Sequence, residues 1–198
     1  MLLASVKLTV FRYTRGISME EKCRAVAFTG HRPETIPYIN DTDSDQYFHL
    51  EKVIWQEVHR YINAGYNTFY CGAARGADML CGEIILSEKE TNHPELKLIC
   101  AIPFKEQARG WDFMEKLQYR ELLRRADRIV QICDSYQKGC YHARNRYMVD
   151  NSNVLIAIYN GEPKGGTAYT VNYAQKQGKE IIIINPDTFK ITVIHDRK

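Results

Sequence analysis

Residues 70–80 of this chain read YCGAARGADML. An apolar strand end runs into a glycine-bracketed loop that carries an arginine, and then into the first turn of a helix. Gly72 and Gly76 permit close backbone approach and left-handed torsions that a side chain would obstruct. A helix start offers free N–H groups and a partial positive charge, which suit an anion such as a phosphate. Arg75 adds a forked donor for the same anion. The segment is a candidate binding loop with a mechanism behind it, and by itself it names no reaction.

The same order of strand, loop and helix repeats on both sides of it. Apolar, β-branched runs at Arg24–Thr29, Asn67–Cys71, Leu96–Ile102, Arg128–Cys133, Val154–Tyr159 and Lys179–Asn185 read as strands, with Lys190–Ile194 as a further candidate. Between them lie helical stretches at Ser44–Ala64, Ala74–Lys89, Gln107–Arg125, Ala143–Asn151 and Gly166–Gln177. The first places Leu50, Val53, Ile54, Val58 and Ile62 on one face and ends at Gly65. The third is expected to turn Trp111, Met114, Leu117, Leu122 and Leu123 inward. Strands buried on both faces and alternating with helices predict a mostly parallel sheet in a three-layer α/β/α domain. Ligands in such sheets bind outside the carboxyl ends of the strands, near the topological switch point.

The 198 residues suffice for one domain, and 44% hydrophobic with 26% charged residues is ordinary for a globular protein. A net charge of +3 does not argue for nucleic acid. Six cysteines without a CxxC pair point to a reducing compartment with neither disulfides nor structural zinc. No apolar stretch approaches the roughly 20 residues of a membrane span, so the expected location is cytoplasmic. The domain is expected over residues 19–198. Residues 1–18 are either an upstream extension or an extra edge strand beginning near Leu3.

Four segments fall at strand ends. Thr29-Gly30-His31-Arg32-Pro33-Glu34 offers Gly30 and Arg32 to a phosphate or ribose, with His31 and Glu34 as polar partners; the alternative is a tight turn whose arginine pairs with a surface carboxylate. CGAARGAD is the second, in which Asp78 either meets a ligand hydroxyl or satisfies first-turn amides. The third, Tyr141 to Asp150, can point Arg144 and Asn145 at the cleft, or is a solvated basic helix face. In the fourth, Gly165, Gly166 and Thr167 form either an anion nest or a helix start capped by Thr167. There is neither a GxGxxG fingerprint nor the GKS or GKT of a P-loop.

GHRPE, CGAARGAD, ARNRYMVDNSNVLIAIYNG and GGTAYTV, in this order, resemble the YpsA-type proteins of the SLOG superfamily, from about Arg24 to Asn185. That superfamily of Rossmann-like domains includes bacterial DNA-processing protein A and the Lonely Guy phosphoribohydrolases. The resemblance implies strand order 3-2-1-4-5-6 and a nucleotide-like ligand cleft. ARGAD is similar to the ARGID loop of the DNA-processing protein, and Arg144-Asn145-Arg146 to its RNR. Where the phosphoribohydrolases carry their catalytic glutamate, this chain has Thr170, which cannot act as a carboxylate acid or base.

The expected ligand set is therefore Gly30, His31, Arg32, Gly72, Arg75, Gly76, Asp78, Arg144, Asn145, Gly165, Gly166 and Thr167. Arg75 is expected to face Arg32 and Arg144 across one cleft, with Trp111 or Tyr141 over a base. The expected function is binding of a nucleotide or ADP-ribose-like ligand in a regulatory or sensory role, with no metal and no assigned catalytic residue. The alternatives are a nucleotide N-glycoside hydrolase using Glu34, Asp78 or Asp112, and a single-stranded nucleic-acid binder. Homo-oligomerisation is left open.

Overall fold

A computed structural model describes residues 24–195. The expectations for residues 1–18, and for the domain start at residue 19, lie outside the described residues. Strand β1 is Ala25–Gly30, followed by a short 3-10 turn at Pro37–Asn40 and helix α1 at Asp45–Asn63. β2 spans Thr68–Cys71, α2 Ala77–Thr91, β3 Lys97–Ile102, α3 Phe113–Arg125 and β4 Arg128–Gln131. α4 covers Cys140–Asp150, β5 Val154–Ile158, α5 Gly166–Lys176, β6 Glu180–Ile184 and β7 Ile191–Ile194.

The seven strands form one sheet in the order β4-β3-β2-β1-β5-β6-β7. All pairings are parallel except that of β7 with β6, which runs antiparallel from Ile181↔Ile194 to Ile184↔Ile191. This arrangement is consistent with the expected order. The 3-2-1 half stands as read, and the chain then crosses back past β1. The strand at Arg128–Gln131 extends that half at its outer edge, so the strand seated beside β1 is β5. The crossing makes the gap between the carboxyl ends of β1 and β5 the switch point.

Alternation along β1 divides the interior into two layers. Val26 and Phe28 face one side with Phe69, Leu98 and Ile156, and are covered by residues of α1, α2 and α3 such as Leu50, Ile54, Ile85 and Leu122. Ala25 and Ala27 face the other side with Tyr70, Ile99, Leu155 and Ala157, under Met148 and Val149 of α4 and Ala168, Val171 and Ala174 of α5. The helix caps follow from sequence. Ser44 accepts from the Tyr47 N–H at 3.2 Å at the start of α1. Asp112 and Glu115 form a reciprocal capping box on α3. Gly65, with φ +84°, stops α1 in the left-handed region.

α3 departs from the expectation. Leu122 is fully buried and Tyr119 joins it, but Met114 is 59% and Leu117 49% exposed. Trp111 precedes the helix and packs its ring on Tyr119 at 5.3 Å. The helix packs on α2 at Leu122, where Gly82 leaves room: a Cβ there would come within 2.8 Å of Leu122 Cδ1. No helix among the described residues is long and apolar enough to cross a membrane. Leu122→Ala should cost about 2–5 kcal/mol in denaturant unfolding. Leu117→Ala, on the same helix, should stay within about 0.5 kcal/mol of the parent.

Candidate functional site

A cleft of about 480 Å³ opens at the switch point. Gly30, His31 and Arg32 of the loop after β1 line it, with Asp78 of α2, Arg144 and Asn145 of α4, and Gly165, Gly166 and Thr167 at the start of α5. Nine of the twelve expected residues thus share one cavity. Gly72 lies beneath Arg144, and Arg75 and Gly76 line a separate hollow of about 230 Å³ with Met79, Glu83 and Glu115.

The floor is a buried ion pair. Asp78 Oδ2 lies 3.6 Å from Arg144 Nη1, with both side chains below a tenth exposed. Arg144 Nη1 also donates to the Gly72 carbonyl. The Gly72 position has no room for a side chain, because a Cβ would stand 1.7 Å from Arg144 Nη1 and 2.4 Å from Asp78 Oδ2. Burial pushes the Asp78 carboxyl above its ordinary value; Arg144 and the Ala74 and Gly72 backbone N–H groups pull it back down. These N–H groups of the glycine loop are therefore directed at a side chain of the protein itself. Gln107 Nε2 donates to Ala73 O at 2.9 Å, and the Ala73 N–H donates to Cys71 Sγ at 3.2 Å. With Ala73 itself at φ +47°, the loop is fixed from several sides.

Arg75 turns away from the cleft. It bridges Glu115 Oε1 at 3.0 Å and Glu34, with its guanidinium 6.0 Å from the Trp111 ring centroid. It thus ties the β1 loop to α3 instead of facing Arg32 and Arg144. Backbone N–H donation, opposed by burial and aided by Arg75, holds Glu34 below its ordinary value. Gly76, at φ +84°, sits against His31 O, Pro33 and Arg32, where a Cβ would meet atoms at 2.8–3.1 Å. Gly30 likewise abuts Ala77, whose Cβ would lie 2.4 Å from an added one. These glycines admit neighbouring protein.

Gly165 and Gly166 differ: a Cβ at either would meet nothing within 4 Å. Gly165, at φ +102°, is the N-cap of α5, with no capping side chain. Thr167 stands two places after it, so it is not the cap. The start of α5 is thus an open backbone edge on the cleft. Asn145 donates from Nδ2 to Thr170 Oγ1 at 2.7 Å, and Thr170 donates to Gly166 O at 2.7 Å. Thr170 is fully buried and lies under the wall.

Sequence reasoning missed two supports. Asn160 Oδ1 lies 2.8 Å from His31 Nε2 and accepts the Glu162 N–H at 3.1 Å, joining the β1 and β5 loops. The Asn160-Gly161 pair is a turn signal that could have marked it. Gln107 carries no such signal. Tyr141 lines the cleft under Arg32, whose guanidinium is 5.9 Å from its ring, whereas Trp111 does not line it. Asp112 is engaged as the α3 cap.

A doubly wound α/β domain with a polar cleft at its switch point is the class that fold and site define. Residues 26–189 match the sequence model of YpsA, the YspA SLOG family, and the chain belongs to that family. It is 34% identical over 134 residues, 60% of this chain and 77% of the relative, to the uncharacterized SPbeta prophage-derived protein YoqJ of Bacillus subtilis strain 168. It is 25% identical to the UPF0398 protein YpsA of the same strain, over 87% of this chain and 98% of that one. Among solved structures it resembles DNA processing protein A (DprA) of Streptococcus pneumoniae, with a TM-score of 0.54 at 18% identity. That match covers 83% of this chain but only 51% of the other, so the chain spans about half the pneumococcal protein. The Helicobacter pylori protein, described for its single-stranded DNA binding mode, gives 0.53 at 18% identity, covering 82% of this chain and 66% of that one. Identities this low carry the fold alone.

Arg144→Leu should destabilise the protein by about 3–5 kcal/mol at neutral pH, because a buried carboxylate loses its partner. The sign with pH follows from the raised Asp78 value. Its contribution is fully present below the unfolded pKa of about 3.9 and is lost as pH rises through the folded value. Removing Arg144 raises that value further, so the penalty should grow from pH 4 to pH 7 in urea titrations of the two proteins.

Proposed function

We propose that the switch-point cleft binds a phosphate-bearing nucleotide, in a regulatory or sensory role. The observation that carries the reading is the open start of α5, where Gly165 and Gly166 have nothing packed on them while Gly30, Gly72 and Gly76 are filled by protein. A helix start with exposed N–H groups and a positive end suits a phosphate. Lys164 and Arg32 stand at the same rim, and Tyr141 offers a ring for a base. A cleft of about 480 Å³ is of the size that small-molecule sites have.

Binding is favoured over N-glycoside cleavage. The family resemblance would place the catalytic carboxylate at Thr170, a buried residue that donates to a backbone carbonyl. Of the three carboxylates lining the cleft, Asp78 is committed to Arg144, Glu34, paired with Arg75, is ionised at neutral pH and so unfit as a proton donor, and Glu162 is exposed in the loop ahead of Gly165, away from the Thr170 position. A second reading is single-stranded nucleic acid. It is favoured by an aromatic ridge beside the cleft, where His142 stacks on Tyr169 at 4.0 Å, Tyr173 lies 6.4 Å further on, and Arg146 donates to the Tyr169 hydroxyl.

Isothermal titration with nucleoside 5′-monophosphates, ADP-ribose and the matching unphosphorylated nucleosides tests the first reading. The phosphorylated ligands should bind, and the nucleosides at least tenfold more weakly. Gly166→Glu should abolish binding with little change in melting temperature, since its side chain enters open space and repels phosphate. Absence of heat with every phosphorylated ligand would defeat the reading. Salt-dependent binding of oligonucleotides, lost on Tyr169→Ala, would favour the second.

A further inference from the structure

At the opposite end of the sheet from the cleft, α1 and α2 finish side by side. His59 in the last turns of α1, Glu88 near the end of α2 and His93 just beyond it converge there. One ligand atom from each lies within 4.8 Å of the other two. His59 comes from α1, Glu88 from α2 and His93 from the turn that follows α2, where the His93 N–H donates to Glu88 O at 2.8 Å.

We propose that His59, Glu88 and His93 form a binding site for a divalent transition-metal ion of the zinc type. Two imidazoles and one carboxylate are a donor set that Zn²⁺ accepts, with a fourth position left to water. Glu88 is almost wholly buried, its side chain only 7% exposed, and so needs cationic or donor partners. His59 Nε2 lies 2.9 Å from Glu88 Oε2 but is a buried nitrogen without an aligned hydrogen bond. Such a nitrogen is unfinished as a hydrogen-bonding group and suited as a ligand.

The surroundings are those of a held ligand set. Trp55 Nε1 donates to Glu88 Oε1 at 2.6 Å, and Asn92 Nδ2 donates to Oε2 at 3.2 Å, fixing the carboxylate from both sides. The His59 ring packs on Trp55 at 4.0 Å. Glu95 Oε1 lies 3.3 Å from His93 Nδ1, the kind of outer carboxylate that orients a ligating imidazole. An ion about 2.1 Å from each donor needs them about 3.4 Å apart, so on binding the 2.9 Å between His59 Nε2 and Glu88 Oε2 must widen slightly and His93 settle to the same spacing. His59 and His93 are 22% and 27% exposed, which gives the ion a way in. The bound ion would pin the end of α1 to the end of α2.

Chelator-treated full-length protein, titrated calorimetrically with Zn²⁺, should take up one ion per chain. Co²⁺ in its place should give visible bands of nitrogen and oxygen ligation without thiolate charge-transfer absorption. His59→Gln and His93→Gln should each weaken uptake at least tenfold, while circular dichroism stays that of the parent. Zn²⁺ should raise the melting temperature of the parent and not of either variant. His93, a partly exposed residue beyond the helix, keeps the test available if the His59 variant fails to fold. No uptake, uptake undiminished in His93→Gln, or thiolate bands with Co²⁺ would overturn the assignment. None of these outcomes bears on the nucleotide reading of the distant cleft.

Discussion

The ion pair between Asp78 and Arg144 is the constraint on which the rest of the cleft depends. Asp78 opens α2, on one face of the sheet, and Arg144 lies in α4, on the other. Their contact crosses the carboxyl end of β2 and locks the two helical layers to each other. Two buried charges are tolerable only when paired and hydrogen-bonded; here Arg144 Nη1 engages Asp78 and the Gly72 carbonyl, while the buried Arg144 Nε has no hydrogen-bond partner. That requirement reaches outward to neighbouring positions. Gly72 must lack a side chain, the Ala74 and Gly72 amides must turn inward, and Ala73 is held in a left-handed conformation that a non-glycine residue rarely adopts.

Glycine thus has two roles around one cavity. At positions 30, 72 and 76 it lets protein approach protein, so that the β1 and β2 loops interlock as a solid base. At 165 and 166 it leaves the α5 start bare. A glycine-rich loop is commonly read as a phosphate holder, yet in CGAARGAD the polar groups are turned onto one another. The edge left open on the cleft belongs to the end of the loop after β5, at Gly165 and Gly166.

The strands could be read from the chain because β-branched runs between turn residues have few other uses, and burial on both faces makes such runs continuous. Helix ends were legible through Ser44 and Gly65 for the same local reason. α3 was legible only in part: Met114 and Leu117 satisfy a helical period yet stay exposed, while Tyr119 and Leu122 are buried and Trp111 and Leu123 pack partly against the core. Loop partners were illegible for another reason. Arg75 finds Glu34 and Glu115 about forty residues away on either side, pairings that no local pattern encodes. A like case is Asn145, whose amide is spent on Thr170, twenty-five residues on.

The interlocked base has a consequence for the tempo of whatever enters the cleft. Loops already held by buried contacts have little conformational freedom left to lose, so ordering them adds little to the cost of association. Free and occupied forms should then share nearly one backbone, as they do in most preorganised complexes. On the proposed reading, entry would then be limited by encounter and not by a closing lid, and occupancy would alter charge and shape at the α5 rim more than backbone position.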